Sequence, residues 1–425
     1  MTNKPISGMA AQASRHFLLS WDFIIPMLLL VVGTIVFRKT NLDLAIQSKY
    51  FIPPNEWAFN RLPIPRLIYH YGNIPALLVS IAGLLLFIFS YSKAAILPYR
   101  KIGSYLVLAM IIGPGLIANT LLKDNWGRPR PREIVNYAGT YAYENPLSID
   151  STSPGKSFPC GHATTGFYLF SLAFVLRKWR PRMALGIFTT ALVWGTIIGW
   201  IRMGMGGHFA SDVLWAGGLV YLSSFAIYRI MGLHKNLFYV PAEGRTSKRL
   251  KLHQKLLLWS LGLLIICSVM LATPYSDKRE FEIGKQQVGL DLYQVSLDLE
   301  IGNLSVILAD SSYFSYQNNG FGFPGSKLKS RPEYLEGAFT FSQWKKGLFT
   351  ELGCNATLVA DSLRLTDLQI VINKGIVEFP AQYADTLFVP SNILLDSRMF
   401  MGTIVRTSQK PVTGWWIDAP KLIIK

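Results

Sequence analysis

The sequence predicts a mainly α, polytopic membrane helical bundle followed by a small, mainly β extramembrane domain. Of its 425 residues, 50% are hydrophobic and only 16% are charged, whereas an ordinary globular domain carries about 25% charged residues. Apolar runs of bilayer length recur through the first two thirds of the chain. Strict period-two alternation then takes over, which is typical of half-buried strands. The chain therefore combines a membrane part with a part outside the bilayer.

Seven apolar runs approach the roughly 20 residues that a helix needs to cross a bilayer. The first is followed by "VFRKT" rather than by a small-residue cleavage site, so we expect a retained anchor. The fourth is short, and the fifth and sixth carry polar residues at their ends. The predicted spans are 17–37, 67–92, 103–122, 162–177, 183–201, 212–232 and 255–273.

Positive charge predicts the orientation of these spans, because loops that stay in the cytoplasm collect Lys and Arg. The connection "RKWRPR", the stretch from Arg229 to Lys255 and residues 91–101 are the basic segments, and they alternate correctly if the N-terminus is inside. We therefore expect a multi-pass protein of the cytoplasmic (inner) membrane. The parts predicted to face the periplasmic or extracellular side are 38–66, 123–161, 202–211 and everything after the last span.

The segment after Pro274 has a different character. It holds 15 basic and 16 acidic residues, so the net charge of +17 comes from the membrane part. Stretches such as "VGLDLYQVSLDLEIG" alternate as strands do, and three cysteines in the whole chain exclude a disulfide framework. The predicted division is a first segment with one span and an outward loop (1–66), a membrane core (67–235), a basic cytoplasmic loop with the seventh span (236–274) and a mainly β extracytoplasmic domain of unknown partner (275–425).

The outward loop at 123–161 begins with a cluster of cations in "KDNWGRPRPRE". Lys123, Arg128, Arg130 and Arg132 lie within ten residues, and the interleaved prolines fix the direction of the backbone. A juxtamembrane patch that touches anionic headgroups would have the same composition. The prolines favour a defined anion site.

The same loop ends in "SFPCGHATTGF". Gly161 allows the backbone to approach a ligand, and the following residues predict the start of a helix, where backbone N–H groups suit a phosphate. His162 is placed to donate a proton to a group that leaves the phosphate.

A third cluster, "IRMGMGGHFASDV", joins the fifth and sixth spans. If a helix begins near His208, Asp212 falls four residues later on the same face. Its carboxylate could then hold one ring nitrogen and leave the other nitrogen free for a nucleophile or base. Arg202 would close on the site from the other end of the loop. Alone, the pair could equally be a helix-stabilising His/Asp contact at the membrane interface.

Together, the three clusters supply cations, a helix N-terminus and two histidines on one predicted face of the membrane. These are the parts that phosphoryl transfer needs when arginine and lysine stabilise the charge. The neighbouring sequence shows no acidic cluster suited to Mg²⁺ and no Cys/His spacing suited to zinc. We therefore expect no metal and no other cofactor.

At these residues the sequence resembles the type-2 phosphatidic acid phosphatase superfamily of membrane lipid phosphatases. Its motifs Lys-x6-Arg-Pro, Pro-Ser-Gly-His and Ser-Arg-x5-His-x3-Asp correspond to "KDNWGRPRP", "PCGH" and "IRMGMGGHFASD", with every spacing met. The resemblance covers about residues 65–232. It implies a six-helix phosphatase core, with one further span in this chain.

The resemblance also implies roles for individual residues. His208 would attack phosphorus to form a phosphohistidine, Asp212 would orient it, and His162 would protonate the leaving group and later activate water. The phosphoryl oxygens would be bound by Lys123, Arg130, Arg202 and the Gly161 backbone.

Two positions depart from the family motifs, and one cation lies outside them. Cys160 replaces serine, so its contact with the phosphate is expected to be weaker, and Ile201 also stands where serine is common. Cys160 is not the expected nucleophile, since no loop of amides closes on an arginine after it. Arg128 is not a motif position, and we predict that it contacts a diphosphate or headgroup.

The predicted function is a phosphohydrolase that acts on a lipid phosphate or diphosphate outside the cytoplasmic membrane. Undecaprenyl diphosphate, phosphatidylglycerol phosphate and lipid A are substrates of the expected class, and no nucleic acid partner is expected. A lipid phosphotransferase with the same site is the nearest alternative. A non-catalytic transporter or lipid-binding protein, and a tethered binding module whose β domain does the work, are alternatives of other classes.

Overall fold

A computed structural model of the chain describes most of both parts. The described residues are 20–150, 153–235, 251, 254, 260, 273–283, 292–322, 325–335, 337–347, 351–391, 393–396, 404–407, 410–411 and 413–425. Contacts divide the chain into two compact units, one formed by 1–149 with 155–267 and the other by 150–154 with 268–425.

The first unit is helical, as predicted. Within the described residues, five helices are long and apolar enough to cross a membrane, and a sixth apolar helix is shorter. The seventh predicted span, 255–273, falls almost wholly outside the described residues. The helices are α1 (Trp21–Lys39), α2 (Leu42–Gln47), α3 (Pro63–Phe89), α4 (Ala95–Trp126), α5 (Gly161–Leu176), α6 (Pro181–Gly204) and α7 (Ala210–Ile230).

Several of these helices change geometry along their length. Helix α3 is built from Pro63–Tyr71 and Ile74–Phe89, and α5 from Gly161–Phe167 and Phe170–Leu176. Helix α4 begins within the 3₁₀ turn Ala94–Tyr99 and continues through Arg100–Met110, Ile111–Lys123 and Asp124–Trp126.

The Ile111–Lys123 stretch of α4 is π-helical. Pro114 lies inside it and lacks the N–H that a regular ladder needs. The side chains of Asn119 and Thr120 donate to carbonyls five residues earlier, at 2.7 and 3.2 Å. The widened stretch ends at Lys123, the first residue of the first motif, and π-bulges are frequent at functional sites.

Small residues bring α5 against its neighbours. A Cβ on Gly166 would lie 2.6 Å from Cα of Gly195 in α6, so only a glycine permits this backbone approach. The hydroxyl of Tyr168 donates to the carbonyl of Leu106 in α4 at 2.7 Å. These contacts fix the N-terminus of α5, where the second motif lies.

The three loops that were predicted to share one face meet at one end of the bundle. Gln47 donates to the Met203 carbonyl at 2.6 Å, and the Tyr137 hydroxyl donates to the Leu44 carbonyl at 2.7 Å. A small apolar core consists of Trp57, Ile134, Tyr137 and Phe209. The short strands and 3₁₀ turns at this end are β1 (Phe51–Ile52), β2 (Glu56–Trp57), Pro131–Glu133 and Val135–Tyr137.

The second unit is mainly β, as predicted. Its described residues form one mixed twelve-stranded sheet. The strands are β3 (Thr273–Glu282), β4 (Tyr293–Leu308), β5 (Tyr313–Gly322), β6 (Lys327–Leu335), β7 (Ala338–Lys346), β8 (Glu351–Ala360), β9 (Leu365–Phe379), β10 (Leu387–Pro390), β11 (Leu394–Asp396), β12 (Val405–Thr407), β13 (Trp415–Asp418) and β14 (Lys421–Ile424).

Strand β4 organises this sheet. It pairs in parallel with β9 along most of its length, and on its other edge with β7 and then β8. Its side chains alternate between buried and more exposed positions, and Val295, Leu297 and Leu299 are fully buried. The alternation that predicted a strand therefore reflects one face packed on the apolar core.

Candidate active site

The three motif clusters converge on His208, which is fully buried in the turn between α6 and α7. Lys123 ends the π-helical stretch of α4, Arg130 follows in the next loop, and Arg202 lies in the last turn of α6. Burial, followed by the positive charges of Arg202, Lys123 and Arg130, holds the pKa of His208 well below its usual 6.5. The imidazole is therefore neutral at pH 7 and has three cations around it.

A backbone carbonyl decides which nitrogen of His208 carries the proton. Nδ1 lies 2.5 Å from the carbonyl oxygen of Ser157. Since a carbonyl can only accept a hydrogen bond, Nδ1 must be the protonated nitrogen of the neutral ring. Nε2 is buried and makes no hydrogen bond within the described part of the chain. His208 therefore keeps a lone pair on Nε2, as a nucleophile requires.

The predicted direct hydrogen bond between Asp212 and His208 is not observed. Nδ1 of His208 lies 3.9 Å from Oδ2 of Asp212. Helix α7 begins at Ala210, so His208 precedes the helix and does not share a helical face with Asp212. Asp212 Oδ2 accepts hydrogen bonds from the Phe209 N–H at 2.8 Å and the Ser157 hydroxyl at 2.6 Å. Asp212 thus accepts a hydrogen bond from the hydroxyl of Ser157, and the carbonyl of Ser157 accepts one from Nδ1 of His208.

Arg128 is not placed to contact a lipid headgroup, contrary to the sequence prediction. It is fully buried, with Nη1 2.5 Å from Asp212 Oδ1 and Nη2 2.9 Å from Asp43 Oδ2. Its Nε donates to the Glu144 carbonyl at 3.1 Å. Its donors are directed at protein acceptors, so Arg128 belongs to a buried ionic cluster.

His162 is the second residue of α5 and is half-buried. The ring of Tyr69, from α3, stacks on it with a centroid separation of 4.9 Å and an interplanar angle of 19°. The same ring lies under the Arg202 guanidinium at 4.7 Å, a cation–π distance. Tyr69 therefore touches two motif residues.

The second motif places Gly161 and Cys160 beside the cations. A Cβ on Gly161 would lie 2.5 Å from Asn119 Oδ1 and 3.3 Å from Lys123 Nζ, so a side chain here would displace them. Burial raises the pKa of the fully buried Cys160 thiol to about 11, although the charges of Arg202 and Lys123 oppose the shift. The thiol is protonated at neutral pH and is a poor nucleophile.

Three residues of the site are missed by sequence reasoning: Asp43, Tyr69 and Ser157. Each acts through a contact to a residue that is distant in sequence, and no local pattern marks it. The described residues contain no group of three or more His, Cys, Asp or Glu side chains arranged to hold a metal ion.

Comparison with known proteins relates this geometry to a family. Residues 102–235 match the sequence model of the PAP2 superfamily. A lipid A 4'-phosphatase from Francisella tularensis subsp. novicida is 38% identical over 134 residues, which are 31% of this chain and 60% of that protein. A lipid A 4'-phosphatase from Rhizobium etli is 32% identical over 127 residues, or 28% of this chain and 44% of that protein.

A solved transmembrane PAP2 type phosphatidylglycerolphosphate phosphatase from Bacillus subtilis is 22% identical, with a TM-score of 0.28; the match covers 48% of this chain and 92% of that one. This chain spans only 60% and 44% of the length of the two lipid A phosphatases. The family match covers all three motifs, whose residues the fold brings together. Residues 102–235 of the membrane core are therefore similar in sequence to the type-2 phosphatidic acid phosphatase (PAP2) superfamily.

Proposed function

We propose that the protein is a membrane lipid phosphohydrolase that works through a phosphohistidine on His208. One observation carries this proposal: the Ser157 carbonyl fixes the proton on Nδ1 and leaves the Nε2 lone pair among the positive charges of Lys123, Arg130 and Arg202. A nucleophile within a cationic cluster suits an electrophile that arrives as an anion, as a phosphate ester does.

In the first step, the cations hold the phosphoryl oxygens and Nε2 attacks phosphorus. The new P–N bond forms as the P–O bond to the lipid breaks, and His162 gives its proton to the leaving oxygen. The imidazole gains positive charge while Nδ1–H stays on the Ser157 carbonyl. The carboxylate of Asp212, 3.9 Å from Nδ1, stabilises that charge.

In the second step, His162 takes a proton from water, and the resulting hydroxide attacks the same phosphorus. The P–N bond breaks, its electron pair returns to Nε2, and inorganic phosphate leaves. Tyr69 supports both steps, because its ring holds His162 by stacking and Arg202 by a cation–π contact. Cys160 remains a neutral thiol beside the phosphate site.

The proposed substrate class is a lipid phosphate of the lipid A type. This rests on the two lipid A 4'-phosphatases that are 38% and 32% identical to parts of this chain. The apolar helices around the site suit a substrate whose acyl chains stay in the bilayer. Undecaprenyl diphosphate and phosphatidylglycerol phosphate belong to the same chemical class and serve as competing substrates in the test.

We place the reaction at the extracytoplasmic face of the cytoplasmic membrane. The support is the distribution of positive charge, which puts the connections at 91–101 and 177–182 inside. The residues of the site come from the opposite connections, or from helix ends next to them.

The test is release of inorganic phosphate by the full chain in vesicles, with lipid A, undecaprenyl diphosphate and phosphatidylglycerol phosphate labelled in their phosphates. The variant is His208→Ala, and the matched control is His234→Ala, a histidine in the turn after α7. We expect phosphate from at least one lipid with wild type and control and none with His208→Ala. Transfer of the label to a second lipid would indicate a phosphotransferase, and no turnover of any lipid would overturn the proposal.

A further inference from the structure

A buried carboxylate from the N-terminal part of the chain lies next to the catalytic residues. Asp43, in α2, is fully buried. Its Oδ1 accepts the Ser211 N–H at 3.0 Å, and its Oδ2 accepts the Ser211 hydroxyl at 2.5 Å. The same Oδ2 lies 2.9 Å from Arg128 Nη2. Asp43 is outside the three motifs and outside the residues that match the family.

Arg128 links this carboxylate to the site. Its Nη2 faces Asp43 and its Nη1 faces Asp212 Oδ1 at 2.5 Å, and all three side chains are fully buried. A planar guanidinium that donates to two carboxylates in fixed directions is held in one orientation by the pair. If Asp43 is neutralised, one side of that guanidinium loses its counterion in a place that water does not reach.

The path continues from Asp212 to the reacting ring. Oδ1 of Asp212 faces Arg128, while Oδ2 receives the Ser157 hydroxyl at 2.6 Å. The carbonyl of the same Ser157 holds Nδ1 of His208 at 2.5 Å. Asp212 and Ser157 therefore each contact one neighbour through one atom and the next neighbour through another. A rotation of Arg128 would shift Asp212, then Ser157 and then the imidazole ring of His208.

We infer that Asp43 is a positioning residue for the reaction. It orients Arg128, so that Asp212 and Ser157 hold His208 with its proton on Nδ1 and its lone pair on Nε2. The part of the chain that catalysis needs then includes α2, which lies before the residues 102–235 that match the family. This inference rests on the proposed phosphohistidine function.

The path ends at Nδ1 of His208, and this distinguishes positioning from general stabilisation. Loss of Asp43 should slow the attack on phosphorus while the cations still bind phosphate. A merely structural role would act differently. Loss of folded protein lowers the rate per total protein but not kcat per folded molecule, and distortion of the whole site weakens phosphate binding together with catalysis.

The experiment compares Asp43→Asn with Glu56→Gln in the full chain in vesicles. Glu56 is an exposed carboxylate of the same N-terminal segment, paired with Arg61. The measurements are kcat for phosphate release, calculated per folded molecule from the folded fraction of each preparation, and the competitive inhibition constant of inorganic phosphate. For Asp43→Asn we expect kcat to fall about tenfold or more, as small displacements of a catalytic group do, with the inhibition constant changed less than about threefold. Glu56→Gln should behave as wild type.

A second variant covers the case in which Asp43→Asn does not fold. Ser211→Ala removes only the hydroxyl that donates to Asp43 and accepts from Arg128 Nη1 at 2.8 Å. We expect kcat to fall about threefold to tenfold, with phosphate inhibition unchanged.

The inference is overturned if folded Asp43→Asn retains the kcat of Glu56→Gln, or if kcat and phosphate inhibition deteriorate in parallel. If Asp43→Asn does not fold, an unchanged kcat in Ser211→Ala overturns it. In each of these cases, phosphate release by wild type and by Glu56→Gln would still support the proposed function. Absence of phosphate release by wild type would instead reject the proposed function.

Discussion

Arg128 and Arg130 are separated by a single proline, but they belong to two regions with opposite requirements. Arg128 is fully buried between Asp43 and Asp212, where its charge is matched by carboxylates. Arg130 is half-buried and its charge acts on His208 together with those of Lys123 and Arg202. The first region uses an arginine to hold its neighbours in place, while the second accumulates positive charge for an anion. The counterions around an arginine, and not the residue type, indicate its role.

The largest expected effect is the loss of protein stability when Arg128, in the buried ionic cluster, is replaced. Arg128→Met leaves Asp43 and Asp212 buried without their shared cation, so we expect the free energy of unfolding to fall by about 3–5 kcal/mol. The measurement is thermal unfolding of the full chain in detergent. The matched control is Arg132→Met, since Arg132 is exposed in the same loop. Equal melting temperatures for both variants would contradict the account of the buried cluster.

Replacement of Arg130, in the cationic region around His208, should lower activity and leave stability unchanged. Arg130→Met removes one of the charges that act on His208, so we expect kcat/KM for phosphate release to fall about 10²-fold, as loss of one transition-state donor does. Its melting temperature should stay close to that of wild type. If Arg130→Met unfolds as readily as Arg128→Met, the distinction between the regions is wrong.

A smaller effect is expected at Tyr69, which joins the cationic region to His162. Tyr69→Ala removes the stack on His162 and the cation–π contact to Arg202. Contacts of these kinds contribute about 1 kcal/mol each, so kcat/KM should fall about thirtyfold. Tyr71→Ala is the control, because this exposed tyrosine lies on the same helix. An equal loss in both variants would remove Tyr69 from the site.

The smallest effect is expected at Cys160. Its thiol, with a pKa raised to about 11 by burial, stays protonated between about pH 6 and pH 9 and contributes no ionisation to the rate profile there. Cys160→Ser restores the family residue, so activity should stay within about threefold of wild type or rise. Steady-state phosphate release across this pH range checks it. A loss as deep as that of His208→Ala would make Cys160 a catalytic group.

The parts of this fold that sequence predicts well are set by local patterns. Six apolar runs, one of which is the helix that begins at Gly161, and the alternating strands all follow from periodicity. The motif spacings also bring Lys123, Arg130 and Arg202 around His208, as expected.

The parts that it does not predict depend on long-range contacts or on the exact start of a helix. The start of α7 at Ala210, two residues after His208, removed the expected direct contact with Asp212. Asp43 meets Arg128 across 85 residues, and Ser157 meets His208 across 51. The sequence around Asp43 does not indicate that it pairs with Arg128, because only the tertiary fold brings the two residues together. The parallel pairing of β4 with β9 is equally non-local.

Trapping the phosphoenzyme tests whether Nε2 of His208 attacks phosphorus. The full chain is mixed with lipid A labelled in its 4'-phosphate and quenched in base, since the P–N bond of a phosphohistidine breaks in acid. The labelled peptide is then identified by mass spectrometry. We expect label on His208 in wild type and in Cys160→Ser, and none in His208→Ala. Label on Cys160, or turnover of the lipid without any label on His208, would contradict it.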